Sequence, residues 1–430
     1  MGALGRAAAS AAALGVALVA WGPAPGSQAA PAGPWPAYLF SPAHTSYAPA
    51  ETAITPANAS SLGAVWTFKP PPGPISSLGG VFLSSPTVYG GNIYIGDENG
   101  TFYDLDEATG RVVWSHFVGQ QPRIGCPARS YVSTATVAPD PQSGAPVVYS
   151  TGPDGYLYAW AASDGTQLWR TPVAIPSSTQ NDYFNWSSPT VANGRIYVGV
   201  ASNCDVPLVQ GGERMYDQES GQLLASFQTN PTGDLGGDIW SSALVAPNGS
   251  VFVSTGNPQS GGAIGLSESI VRLDPATLAA LDHFTVPAAD RVGDGDFGAS
   301  PTTWVADLAG VPTPLVGACN KNGKFYALRQ DDLSSLVWAD QLGTPEQQAG
   351  HNSICVAASV WDADHSRLYV AGNLTTIGGV SYRGSVQEVD PATGAPIWQT
   401  GLPGSVLGTP TLDGSGVLAV GTSDFDGYPN

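Results

Sequence analysis

The sequence is short of positive charge: among 430 residues, 15 Lys and Arg stand against 34 Asp and Glu, for a formal net charge of −19 at pH 7. With a pI near 4.3 the chain carries no electrostatic footprint for nucleic acid or for an anionic membrane surface, so neither is expected as a partner. Cysteine is scarce, at four residues, and none sits in a Cys-x-x-Cys-His pattern, which excludes covalently attached haem. The five histidines, His44, His116, His283, His351 and His365, are scattered without metal-ligand spacing, and no Gly-x-Ser-x-Gly or phosphate-cradling loop occurs. A zinc centre or a serine hydrolase is therefore unsupported. Sustained helical periodicity is almost missing, and the longest apolar run, Ala7 to Trp21, is too short and too rich in Gly and Ala for a membrane span.

What the chain does have is glycine and proline, 54 and 37 residues, with 9% aromatics and only 11% charged residues, the balance of an all-β extracellular protein. Its organising unit is Ser84 to Gly119. There, Pro86-Thr87-Val88 is followed by Gly90-Gly91, alternating Ile93-Tyr94-Ile95, Asn99-Gly100, alternating Phe102 to Leu105, Thr109-Gly110 and Val112-Val113-Trp114. Asn-Gly suits a two-residue hairpin, because both central positions of a type I′ turn need positive φ. The period-two alternation on either side gives each strand one buried face, so the unit reads as a four-stranded meander.

The unit recurs. SSPTV at Ser84 returns as STATV at Ser133, SSPTV at Ser187, SSALV at Ser241, ASPTT at Ala299, a degenerate VAASV at Val356 and GTPTL at Gly408. The spacing, roughly fifty to sixty residues, is that of a propeller blade with loops. A turn before each outer strand recurs as Asp106 to Gly110, Ser163 to Gly165, Glu219 to Gly221, Pro275 to Thr277 and Pro391 to Gly394, and Trp114, Trp169, Trp338 and Trp398 close the unit. Blades three and four depart, with Ala225 and Asp282 at the tryptophan position. The expected fold is thus an all-β propeller of four-stranded antiparallel blades, seven in number with eight as the alternative.

Residues 1–30 read as a secretory signal: Arg6, the apolar run, then the small-residue site Ser27-Gln28-Ala29. Residues 31–61 are rich in Pro, Ala and Ser and are expected to form an irregular arm over a propeller spanning 62–430. Leu62 to Trp66 reads as an outer strand that arrives before any inner strand, whereas Gly408 onwards supplies inner strands and stops. The termini are therefore expected to share a blade, closing the ring by pairing N- and C-terminal strands. A secreted or periplasmic monomer follows. Four cysteines in such a protein suggest two disulfides with three pairings open. Cys126 and Cys204 lie in loops that emerge on one face of a four-stranded blade, as do Cys319 and Cys355, which favours Cys126–Cys204 and Cys319–Cys355.

The blade consensus, with its SSP start, alternating strand, Asn-Gly turn, Leu-Asp-Glu-Ala-Thr-Gly turn and closing Trp, resembles the pyrroloquinoline-quinone (PQQ) propeller repeat. That family holds quinoprotein alcohol dehydrogenases and also non-enzymatic scaffolds. Ile54 to Asn58 and Leu62 to Trp66 are similar to the start of the dehydrogenases. Gly236-Gly237-Asp238-Ile239-Trp240 resembles the dehydrogenase segment whose Trp floors the quinone, which would place Asp238 and Trp240 at the cofactor. Thr255-Gly256-Asn257-Pro258 resembles the element whose Asn binds calcium. Asp294 to Gly298 resembles the segment carrying the catalytic Asp, matched by Asp296, and Lys321-Asn322-Gly323 resembles the element whose cation contacts the cofactor carbonyl.

Departures from the family accompany these matches. Where the dehydrogenases place a calcium-binding Glu, this chain has Asn203-Cys204-Asp205, so Asp205 is the substitute. Cys126 is followed by Pro127, so the family's vicinal disulfide is missing, and Lys321 stands where Arg is commoner. Two functions are thus expected from different classes. One is a dehydrogenase of an alcohol, polyol or sugar using PQQ and calcium, with Asp296 as base, Lys321 as electrostatic stabiliser and a separate electron acceptor. The other is a silent propeller that binds a protein or glycan at its top face.

Overall fold

The computed structural model describes residues 18–20, 33–73, 81–121, 130–177, 182–230, 233–345 and 355–423. It is a seven-bladed β-propeller in which helix, among the described residues, is confined to the 3₁₀ turns Ala59–Ser61 and Ala288–Asp290. Six blades are complete meanders whose inner strands are Thr87–Tyr89, Thr136–Pro139, Thr190–Ala192, Leu244–Val245, Thr302–Leu308 and Val360–Asp362. The outer strands of these blades are Val112–Phe117, Gln167–Pro172, Leu223–Gln228, Ala280–Thr285, Leu336–Gln341 and Pro396–Leu402. Blade three carries an extra strand, Tyr183–Phe184, on the far end of its second strand.

The repeated SSPTV motif has a direct physical role. Its second residue presents a hydroxyl to the preceding blade: Ser85 N donates to Thr134 Oγ1, Thr134 N to Ser188 Oγ, Ser188 N to Ser242 Oγ, and Ser242 N to Ser300 Oγ, at 2.9–3.1 Å. The fourth residue returns a hydrogen bond to the carbonyl of the next blade's third residue. Thr87 reaches Ala135 O and Thr136 reaches Pro189 O, both at 2.6 Å, and Thr190 reaches Ala243 O at 2.7 Å. In blade six the structure sets the motif one residue later than VAASV, as Ala357 to Trp361, so that Ala358 N donates to Thr409 Oγ1 at 2.9 Å; Ala358 itself, at the second position, has no hydroxyl to offer, and Thr302 Oγ1 accepts from Ser359 N at 3.2 Å. These are buried bonds between strands that share no sheet, each worth about 1 kcal/mol net and more if left half-made.

At the rim a second contact recurs. The first residue of the turn before the outer strand offers its carbonyl to a donor from the preceding blade. Trp66 Nε1 reaches Glu107 O, Trp114 Nε1 reaches Ala162 O, and both Trp304 and Trp338 reach Pro391 O. Three residues further on stands a glycine with positive φ, and a Cβ on Gly110, Gly165, Gly221 or Gly394 would lie 2.4–2.6 Å from the ring of Trp66, Trp114, Trp169 or Trp338. The two departures noted in the repeat are compensated together. Where blades three and four lack the tryptophan, the next blade's turn carries buried Leu278 or Leu333 in place of glycine. The donor there is an arginine: Arg195 to Pro275 O, and Arg272 to Gln330 O at 3.1 Å.

Ring closure joins the two ends of the chain as expected, but through a different strand. Tyr47–Ala48 of the arm pairs in parallel with Thr411–Asp413, which itself pairs with Leu418–Ala419. Trp66–Phe68 stands against blade one, where the preceding blade's outer strand stands at the other junctions, and pairs with Leu18–Ala20. The reason for the difference is that the arm itself runs around the channel. Val88, Val137, Val245, Trp361 and Leu412 occupy the same, fifth position of five blade motifs. Each donates its amide to an arm carbonyl, those of Trp35, Pro36, Pro42, Thr45 and Ser46, at 2.7–3.0 Å. The inner edges that face the channel are thereby paired rather than left as open strand edges.

Of the cysteines, Cys319 and Cys355 are bonded with 5.7 Å between Cα atoms, as the loop argument favours. Cys204 is also in a disulfide, and Cys126 lies outside the described residues.

Within the arm Leu39, Phe40, His44 and Ser46 all have positive φ, a conformation held by what the arm buries. His44 is 1% exposed, with Nδ1 3.0 Å from Pro301 O, and burial lowers its pKa to about 4. The unfolded chain thus takes up this proton more readily than the folded one. The neutral ring's contribution is complete above about pH 6.5 and is lost as pH falls toward 4, by up to about 3 kcal/mol. Thermal melts of His44→Asn should therefore show a smaller fall in Tm over that window than the parent; parallel curves would exclude His44 as the acid-sensitive group.

Candidate functional site

One face of the ring is built from loops that precede inner strands or follow second strands. Trp240 precedes Leu244–Val245, and Asp296 precedes Thr302–Leu308. Asp205, Asn257 and Lys321 follow the second strands Arg195–Ser202, Val251–Ser254 and Val311–Cys319. Antiparallel meander topology brings these two loop classes to one rim, so residues more than a hundred positions apart in the chain meet.

Asp296 is the hub. Its Oδ2 is 2.6 Å from Lys321 Nζ, and its Oδ1 accepts from Asn257 N, also at 2.6 Å. Its carbonyl accepts from Lys321 N at 2.9 Å, so the two residues are tied by backbone as well as by charge. Lys321 Nζ also donates to Asp294 Oδ1 at 2.8 Å and lies 5.5 Å from the centre of the Trp240 ring. Trp240 is half-buried, with Trp186 edge-on to it at 6.3 Å. Glycine makes this approach feasible. A Cβ on Gly298 would lie 2.1 Å from the Trp240 ring, and one on Gly256 would lie 2.6 Å from Asp296 Oδ1.

The Asn257 carboxamide lies between two carboxylates. With its nitrogen turned toward them it donates to Asp296 Oδ1 at 2.6 Å and to Asp205 Oδ2 at 3.3 Å. Turned the other way, three oxygens converge, an arrangement that repels unless a hard cation sits among them. Asp205 has φ +62 and receives Ser202 Oγ at 2.7 Å, while Ser202 N donates to Asp238 Oδ2 at 2.6 Å. Asp238 thus faces the Ser202 amide, and its carbonyl accepts from Gly256 N at 2.7 Å.

The site is over-supplied with acid. Burial raises the pKa of Asp296, with Lys321 opposing, and burial followed by the charge of Asp296 raises that of Asp205. Asp238 is pushed up to about 8 by burial, and Glu268 to about 7 by burial against the pull of Arg291, whose Nε is 3.6 Å away. A bound cation relieves such a cluster directly. Among the described residues no three His, Cys, Asp or Glu side chains surround a common metal position, so a cation here draws on the neutral oxygen of Asn257 beside two carboxylates. That donor set, all oxygen with two of its three members charged, suits calcium.

All six residues singled out from the sequence, Asp205, Asp238, Trp240, Asn257, Asp296 and Lys321, therefore fall in one constellation. Ser202, Glu268 and Arg291 join them unannounced. Their only sequence signal is that they interrupt or flank a repeat without belonging to it.

Comparison with known proteins follows the same lines. The family described as PQQ: glucose/ethanol/alcohol dehydrogenase, β-propeller domain, matches residues 35–332. A polyvinylalcohol dehydrogenase from Pseudomonas sp. is 24% identical over 388 residues, 80% of this chain and 56% of that protein. A quinohemoprotein alcohol dehydrogenase from Comamonas testosteroni is 26% identical over 275 residues, 61% of this chain and 34% of that protein. The chain thus spans about half or less of the length of these relatives. In fold, a europium-containing methanol dehydrogenase superposes with a TM-score of 0.70 at 17% identity, covering 90% of this chain and 81% of that one. The Comamonas testosteroni enzyme's structure gives 0.62 at 16% identity over 88% and 74%.

The packing of Gly298 on the indole is directly testable. Gly298→Ala should displace Trp240, costing about 1–3 kcal/mol in denaturant unfolding and shifting the intrinsic fluorescence; a variant matching the parent in both would show that the contact is not made.

Proposed function

The chain belongs to the PQQ family of glucose, ethanol and alcohol dehydrogenase β-propeller domains, and from that premise we propose that it is a quinoprotein dehydrogenase acting on the hydroxyl of an alcohol, polyol or sugar. The observation that carries this reading is the meeting of Trp240, Asn257, Asp296 and Lys321 on one rim of the ring. The half-buried indole of Trp240 offers a flat π-face of the size a fused-ring cofactor needs. Asp205, Asn257 and Asp296 would hold calcium, and when bound, PQQ supplies the two-electron acceptor and calcium the Lewis acid that polarises it.

The chain's own residues do the rest. The Asp296 carboxylate, held by Lys321 and by the Asn257 amide, is placed to take the proton of a substrate hydroxyl. Lys321, fixed between Asp294 and Asp296 and over the edge of the indole slot, stabilises negative charge developing on an oxygen above Trp240. The excess of carboxyl groups keeps the slot empty of anions other than one that arrives with its cation. The electrons would pass from the quinone to an acceptor outside the propeller. The Cys319–Cys355 disulfide fits export to an oxidising compartment.

The purified protein, given PQQ and calcium, should gain thermal stability and reduce an artificial dye in the presence of an alcohol. Neither a shift nor turnover over a broad panel of alcohols, sugars and polymeric alcohols would leave only a non-catalytic scaffold that binds a protein or glycan. Asp296→Asn should lower kcat by about a hundredfold or more while leaving the cofactor-dependent spectral change in place; an equally active variant would show that the proton goes elsewhere.

A further inference from the structure

Asp238 does not touch the residues to which the reaction is assigned, yet it is buried at 5% exposure, with Oδ2 accepting from the Ser202 main-chain amide. Its other oxygen, Oδ1, has no hydrogen-bond partner. A buried carboxyl held this way is costly and calls for a reason beyond filling space. The contacts run in a line. Asp238 Oδ2 accepts from Ser202 N at 2.6 Å, and Ser202 Oγ donates to Asp205 Oδ1 at 2.7 Å while accepting from Asp205 N at 3.1 Å. The remaining oxygen, Asp205 Oδ2, faces the Asn257 carboxamide at 3.3 Å, and that carboxamide faces Asp296 Oδ1 at 2.6 Å.

We infer that Asp238 is a positioning residue for the cation site, acting through Ser202 to hold Asp205 in register with Asn257 and Asp296. The inference rests on the reading of that triad as the cation site. Asp205 needs such support because it sits in a left-handed conformation at φ +62, beyond the end of its strand, in a half-buried loop. With Ser202 clamped from behind, the hydroxyl is committed to one oxygen of Asp205 and the second is turned toward the cation place. Asp238 is itself fixed on the opposite side, where its carbonyl accepts from Gly256 N one residue before Asn257. It therefore braces both arms of the site at once.

The test uses terbium(III), which luminesces when bound near an excited indole and replaces calcium at oxygen sites, titrated into the full chain without quinone. Calcium competition then reports affinity independently of turnover. The parent should bind saturably. Asp238→Ala and Ser202→Ala should each weaken binding roughly tenfold or more, as outer partners of metal ligands do. Asp238→Asn, which keeps an oxygen for the Ser202 amide, should stay within about threefold, and the Asp238→Ala/Ser202→Ala pair should be little worse than either alone because both break one line of contacts. Ser202→Ala leaves the main-chain contact in place and guards against a simple failure of Asp238→Ala to fold. Parent-like affinity in both alanine variants would overturn the inference, as would an Asp238→Asn variant as weak as Asp238→Ala, which would make charge the cause. A parent that binds no terbium would instead sink the cation site itself, and the inference with it.

Discussion

The propeller depends on hydrogen bonds between blades that share no sheet. Each blade buries both faces against its neighbours, and apolar packing alone would let adjacent blades slide or rotate, because it has no direction. The hydroxyl belt supplies direction. A Ser or Thr at the second motif position receives the previous blade's amide, and a Thr at the fourth returns a bond to the next blade's carbonyl, so blade after blade is set at one height and one angle. The loops at the rim inherit that precision. A cluster in which a lysine nitrogen lies within 2.8 Å of two carboxylates from one loop, while a main-chain amide from another reaches one of them, tolerates little slippage.

The two mouths of the channel are treated differently. At one, the arm supplies carbonyls to five equivalent amides and buries a neutral histidine, closing the edge that the inner strands would otherwise present. At the other the inner strands begin, and the chain concentrates carboxyl groups that burial pushes toward protonation. Stability is placed at the first mouth and electrostatic stress at the second, the distribution expected when a site must bind something the empty protein lacks. Lys321 and Arg291 offset only part of that stress.

The rim contacts show how a repeat can drift without losing its ring. Tryptophan on one blade and glycine on the next form a matched pair, since the glycine is needed both for its positive φ and for the approach of the indole. Where blades three and four have no tryptophan, leucine stands in place of the glycine and arginine is the donor. In the sequence these are three unrelated departures, at Ala225 and Asp282, at Leu278 and Leu333, and at Arg195 and Arg272. Only the junction joins them.

The sequence by itself determined the blade and its number of strands, because a period-two pattern with Asn-Gly and Asp-Gly turns and a recurring SSP segment has one economical solution, and it narrowed the number of blades to seven or eight; the closed ring has seven. Through short elements that resemble those of the dehydrogenases it also singled out Trp240, Asp238, Asn257, Asp205, Asp296 and Lys321, which meet on one rim. Tertiary structure alone decided which strand closes the ring, why the motif needs hydroxyls, and that Asp238 turns toward Ser202 while Asp205 turns toward Asn257. Local pattern specifies how each strand alternates, but side chains from blades three, four and five meet only after the ring has closed, and no spacing along the chain encodes which of their oxygens face one another.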